Sequence, residues 1–155
     1  MAKIVFELSE DVKLTFIDHK PYKNDKLLQK GSRVFQTELY PLGKKNLSTK
    51  NLTLNKFGLN EQEYYRLVED IRFPLLYDFW KDSNAVLTIC YGSTFESKFI
   101  KLFNLNESKS IVIDNMRFFN QEKIIITPFF INRHMGFKRV YKLVSILKDE
   151  WDIQF

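Results

Sequence analysis

The chain has a single cysteine, Cys90, which excludes an internal disulfide and gives no sign of an oxidising compartment. Its two histidines, His19 and His134, are far apart, and neither stands at zinc-ligand spacing to Cys90. No bound metal is expected. There is no glycine-rich loop ending in Lys-Ser/Thr and no dinucleotide fingerprint, so no nucleotide cofactor is expected either. With 5 Gly and 4 Pro, fibrous and low-complexity classes fall away. No apolar run approaches the roughly 18 residues of a membrane-spanning helix. From Lys3 onward the N-terminus alternates charged and apolar residues, unlike a secretory signal. A cytoplasmic protein with no membrane partner is the expectation.

What is present is a foldable, aromatic-rich chain. It has 155 residues, 45% hydrophobic, with 15 Phe, 7 Tyr and 2 Trp. That length and composition suit one α/β domain over residues 1–155, with a sizeable core. The net charge is +5, from 24 Lys and Arg against 19 acids, and it is unevenly spread. Residues 43–56 carry Lys44, Lys45, Lys50 and Lys56 with no acid, and residues 133–148 carry Arg133, Lys138, Arg139, Lys142 and Lys148 with no acid. Acids concentrate between residues 61 and 82. Two such basic stretches suit binding to a polyanion.

Periodicity predicts an N-terminal β-hairpin from strands at 3–8 and 13–17. Pro21 then interrupts, a short helical turn follows near 25–29, and a strand spans 33–40. A helix should begin at Asn60, where Glu63 stands at capping-box spacing. Its apolar stripe reads Tyr64, Leu67, Val68 and Ile71. Pro74 should kink it or start a second helix that buries Leu75, Leu76, Phe79 and Trp80. Residues 85–91 read as a buried strand holding Cys90 as inert core. Gly92 turns the chain, and Ser93 with Glu96 repeats the capping-box spacing before a helix that buries Phe95, Phe99, Leu102 and Phe103. Strands follow at 110–114 and 123–127, with a loop over 115–121 between them. A last helix places Phe137, Val140, Tyr141, Val144, Leu147 and Trp151 on one side, and Lys138, Arg139 and Lys142 on the other. Strand and helix alternate in this second half. That order predicts a three-layer α/β/α arrangement around a central, mostly parallel sheet.

Three places carry candidate chemistry. Asp18-His19-Lys20-Pro21-Tyr22 follows an apolar strand, where a carboxylate and an imidazole suit acid–base work; a solvated turn over a packed Tyr22 also explains it. Gln36, Glu38 and Tyr40 alternate on one strand face, able to bond a ligand edge or simply to face water. Thr127-Pro128-Phe129-Phe130-Ile131-Asn132-Arg133-His134-Met135-Gly136 runs from an apolar strand into the basic helix. A strand delivering Arg and His to a loop before a helix start is a common way to build a polar site. Aromatics beside cations stack on bases and hold phosphates, although paired Phe also serve as core. Gly92-Ser93-Thr94 lacks the flanking glycines of a nucleophile elbow and reads as a helix cap; a small-molecule hydrolase using Ser93 is the least favoured option.

These places, in this order, resemble the uracil-DNA glycosylase superfamily. Its first functional loop reads Gly-Gln-Asp-Pro-Tyr-His after an apolar strand; here residues 14–17 precede Asp18-His19-Lys20-Pro21-Tyr22-Lys23, in register at Pro21 and Tyr22. Lys20 holds the place of the family's water-activating Asp, and Asp18 stands two residues before it. The strand over 33–40 occupies the place of the base-recognition strand, and residues 127–136 that of the loop bearing a His and a duplex wedge. The resemblance implies a parallel sheet with functional loops at the carboxyl ends of its strands, acting by hydrolysis of an N-glycosidic bond. Asp18 would orient water and His134 would stabilise the leaving base. Glu38, Tyr22 and Phe130 would contact the base, with Phe130 or Met135 entering the stack. Lys44, Lys45, Ser93, Arg133, Lys138 and Arg139 would hold the nucleic-acid backbone. DNA is the expected partner ahead of RNA, and no cofactor is implied. The alternative is a catalytically inactive protein-interaction module on the same scaffold.

Overall fold

The computed structural model describes residues 35–41, 54, 57–129 and 136–153. The expected N-terminal hairpin and the turn near 25–29 lie outside them. The chain divides into two compact units. Of the described residues, one unit holds 36–41, 54 and 57–85, and the other holds 35, 86–129 and 136–153.

The first unit is organised by helix α1 (Glu61–Asp82). It starts as the capping-box spacing predicts. Asn60 Oδ1 accepts from the Glu63 amide at 2.9 Å, and the Glu63 carboxylate accepts from the Asn60 amide at 2.8 Å. Two donors that a helix start leaves unpaired are thereby satisfied. Pro74 neither ends α1 nor starts a second helix; the helix runs through it to Asp82. A proline in a helix interior removes one backbone donor and typically costs about 3 kcal/mol.

The buried face of α1 differs from the expected stripe. Tyr64, Val68, Glu69 and Phe73 are buried, whereas Leu67, Ile71, Leu75 and Phe79 are exposed. Apolar residues occupy more than one side of this helix, so spacing alone does not say which side is covered. Tyr40 helps to decide it. Its ring centroid lies 4.6 Å from that of Tyr65 and 6.3 Å from those of Tyr64 and Phe73. Residues 35–41 are irregular, so the strand expected over 33–40 is not formed there. Tyr40 docks on the helix in place of pairing in a sheet.

The second unit is a mixed α/β structure around four strands: β1 (Thr88–Tyr91), β2 (Ile111–Ile113), β3 (Met116–Phe119) and β4 (Ile124–Thr127). Their order is β1-β4-β3-β2. β1 and β4 are parallel, with Thr88 opposite Ile124; β4–β3 and β3–β2 are antiparallel. The described sheet is therefore mostly antiparallel, where a mostly parallel one was expected. The difference lies in residues 115–121, expected as a loop. Asp114 and Asn115 both take left-handed conformations, with φ of 51° and 62°. Two such residues form the tight turn of a hairpin, and Asp and Asn tolerate that region better than most side chains. A two-residue connection cannot make the crossover that a parallel pair needs.

Both faces of this sheet are covered. Register aligns Ile89, Ile125, Phe118 and Ile111 across the strands. Helix α3 (Phe137–Asp149) packs on that face: Val140, Leu143, Val144 and Leu147 cluster with Met116, Phe118 and Ile125. Full burial of such side chains contributes about 1.5–3 kcal/mol each. On the opposite face Cys90, Ile124, Ile126 and Phe119 are buried. There Arg117 Nε lies 2.6 Å from Glu96 Oε1 at the start of helix α2 (Glu96–Leu102), and its guanidinium donates to Ser110 Oγ at 2.7 Å. Within α2, Phe99 and Leu102 are buried, as expected, while Phe95 and Phe103, which flank it, are half-buried. Tyr141, expected in the α3 core stripe, is 40% exposed. Trp151 follows the end of α3 but still joins the core, edge-on to Phe118, with its indole donating to Asn120.

Candidate functional site at the carboxyl ends of two parallel strands

β1 and β4 point the same way, so the segments leaving them emerge side by side. The Gly92 amide donates to the Thr127 carbonyl at 2.8 Å, which extends the ladder one step beyond the strands. Gly92 then takes φ +108°, a conformation that side chains other than hydrogen rarely adopt. Its missing Cβ also leaves room for Phe129, whose ring covers the glycine. Phe129 meets Tyr91 edge-on, with ring centroids 6.3 Å apart, and remains 37% exposed. An aromatic ring is thus held at the surface where the two strands end.

Ser93 and Thr94 follow in a 3-10 turn and are exposed. The expected Ser93–Glu96 capping box is not formed. Glu96 turns instead to Arg117, and neither the turn nor α2 has a side-chain cap. Ser93 therefore stands at the site as a surface hydroxyl rather than a helix cap.

Helix α3 follows β4 in sequence; Gly136 precedes its first residue, and the helix has no side-chain cap and no acid in its first turn. Lys138 is exposed and Arg139 half-buried in that turn, with exposed Lys142 one turn further. Cations there face the positive end of the helix dipole, an arrangement unfavourable by a few tenths of a kcal/mol each unless an anion is close. One such anion is Asp114 of the β2–β3 turn, whose Oδ2 lies 3.0 Å from Lys142 Nζ. Its hydrogen bond and charge contact with Lys142, helped by Arg139 and Lys138, hold the Asp114 carboxyl below its ordinary range. Neither Asp114 nor the Arg117–Glu96 pair stands out from sequence. The Asp-Asn pair before an alternating Met-Arg-Phe-Phe segment was the available signal for the turn.

The expected site residues divide. Ser93, Lys138 and Arg139 lie in the unit that carries β1, β4 and α3. Glu38 belongs to the other unit, where it is exposed and its carbonyl accepts from Arg72 at 3.1 Å. Tyr40, expected on the same strand face, serves its own unit: its hydroxyl donates to buried Glu69 at 3.1 Å. Burial, then that bond, pushes the phenol well above its ordinary range. Burial likewise pushes the Cys90 thiol well up, in keeping with an inert core cysteine. Asp18, Tyr22, Lys44, Lys45, Phe130, Arg133, His134 and Met135 lie outside the described residues. Among the described residues no group of three or more His, Cys, Asp or Glu could hold a metal ion, and no helix is long and apolar enough to cross a membrane. Comparison of the chain with protein-family models, with curated proteins and with solved structures gives no match.

Proposed function

We propose that this protein binds nucleic acid through the carboxyl ends of β1 and β4 and the basic start of α3. The observation that carries the reading is the first turn of α3. Lys138 and Arg139 stand in a first turn that contains no acidic residue of its own, on a helix whose start has no side-chain cap, in the same unit as the exposed ring of Phe129. Phosphate is favoured at such a helix start, and an exposed aromatic ring suits stacking on a base. Ser93, exposed and next in sequence to Gly92, adds a hydroxyl donor. In this reading α2 and α3 are the outer layers of a three-layer arrangement, and the location is cytoplasmic. Hydrolysis of an N-glycosidic bond, with Asp18 and His134 in the roles given above, is the enzymatic form of the same proposal.

The test is fluorescence-anisotropy binding to duplex DNA, single-stranded DNA and RNA across a salt series. Affinity that falls steeply with salt supports the reading, because each neutralised phosphate releases counterions. Release of a modified base from bound DNA would support hydrolysis; tight binding without release leaves a binding protein. Absence of binding at low salt removes the proposal. A protein-interaction role is favoured by a separate observation, the exposed apolar ridge of α1.

A further inference from the structure

Helix α1 presents two neighbouring rows to its surroundings. Leu67, Ile71 and Leu75, at steps of four, are 46%, 59% and 65% exposed, and Phe79 continues the row at 49%. Residues four apart on a helix form a continuous ridge. Three positions further along lies a second row, Arg66, Asp70, Pro74, Asp78 and Asp82, all exposed. An apolar ridge is thus edged by three aspartates. The helix as a whole carries six carboxylates against three cations, a net charge of −3, in a chain whose total is +5.

We propose that this face of α1 docks an amphipathic helix whose own apolar ridge is edged by lysine or arginine. Helix pairing through ridges at four-residue steps buries the leucines and isoleucine, and flanking charges then select the partner. The aspartate row decides the sign. A second copy of this chain paired antiparallel is disfavoured, because that two-fold pairing sets the same flank of each helix against its twin and brings the aspartate rows together; a parallel pair would leave each aspartate row without cations opposite it. Nucleic acid is disfavoured by the same charges. This face therefore serves a different partner from the basic start of α3, and its test does not depend on the nucleic-acid proposal.

The experiment titrates the full chain with three labelled synthetic peptides that are helical alone. Two carry leucine at i, i+4 and i+8, one edged by lysine and the other with each lysine replaced by glutamate; the third scrambles the order of the lysine peptide so that the leucine ridge is lost. The expected result is binding of the lysine peptide, with the glutamate peptide about fivefold or more weaker and the scrambled one weaker still. The variant D70K/D78K/D82K should reverse the charge preference. Ile71→Ser with Leu75→Ser should abolish binding while circular dichroism shows the helix retained, since both side chains are exposed. Equal binding of the lysine and glutamate peptides overturns the proposal, as does no binding of the lysine peptide or indifference to the two serine substitutions. Self-association of the chain lost in the serine variant would also overturn it, by making the face a contact between copies.

Discussion

Phe129 covers Gly92 so closely that a Cβ at position 92 would lie 2.8 Å from Phe129 Cζ. Two constraints meet at this glycine: the ring above it and a φ of +108° that L-residues rarely adopt. Gly92→Ala should therefore destabilise the unit by about 2 kcal/mol or more, since the left-handed conformation alone costs roughly 1–2 kcal/mol. Chemical denaturation measures this. In the double variant with Phe129→Ala, the clash disappears but the backbone strain stays. The two substitutions should then be clearly non-additive, with the pair less damaging than the sum of the singles. Strict additivity would mean that the ring does not rest on the glycine.

Tyr40 and Glu69 make the corresponding test in the other unit. Glu69 is a buried carboxylate on α1, and the Tyr40 hydroxyl is one of its donors. Tyr40→Phe keeps the ring stacked against Tyr64, Tyr65 and Phe73 but removes that donor. A hydrogen bond to a charged acceptor contributes about 1.5–3 kcal/mol, so the unfolding free energy should fall by that order. Combining Tyr40→Phe with Glu69→Gln should recover part of the loss, because a neutral amide is easier to bury than a carboxylate. An unchanged denaturation midpoint for Tyr40→Phe would show that Glu69 is satisfied without it.

Asp114 has a pH signature. Its carboxyl titrates below the ordinary range because Lys142 donates to its charged form, so the ion pair favours the folded state above the ordinary carboxylate pKa. That contribution disappears as pH falls through the lowered value in the folded protein. The carboxyl carbon resonance of Asp114 should accordingly titrate at lower pH than that of an unpaired aspartate. Lys142→Met should move its midpoint upward. A midpoint indifferent to Lys142→Met would assign the shift to another cause.

Where one interaction decides locally, the sequence was legible. Asn60 and Glu63 mark the start of α1 because a capping box needs only residues three apart. Val140, Val144 and Leu147 mark the face of α3 because that helix has one apolar side. Cys90 reads as core from its apolar neighbours. Where several local solutions compete, pattern was insufficient. α1 carries apolar side chains on more than one side, and only the docking of Tyr40, distant in sequence, covers Tyr64 and Phe73 while Leu67 and Ile71 stay exposed. Ser93 and Glu96 have capping-box spacing, but Arg117 offers Glu96 a charged partner that a backbone amide does not match. The alternation of strands and helices suggested parallel pairing, and the left-handed Asp114-Asn115 pair returned β3 antiparallel to β2 instead. Of the candidate site, the parallel pairing of β1 with β4 brings Gly92 and Phe129 together, and the order of elements does not by itself specify that pairing.

The ion pair between Lys142 and Asp114 also sorts the cations of α3 by their value to a polyanion. Lys142 is already partly neutralised, whereas the ion pairs described place no carboxylate on Lys138. Lys138→Ala should therefore lower the magnitude of the salt slope of nucleic-acid binding by about one unit, the change expected for one lost phosphate contact. Lys142→Ala should lower it by less, since Lys142 shares its charge with Asp114 and so neutralises less phosphate than an unshared cation. Asp114→Asn acts in the opposite direction: it frees Lys142 and removes a repulsive charge, so affinity at low salt should rise and the slope should steepen. The three slopes, measured by anisotropy on one duplex, form an ordered series with Asp114→Asn steepest and Lys138→Ala shallowest. If Asp114→Asn weakens binding, the basic start of α3 does not face the nucleic acid, and the proposed interface is wrong.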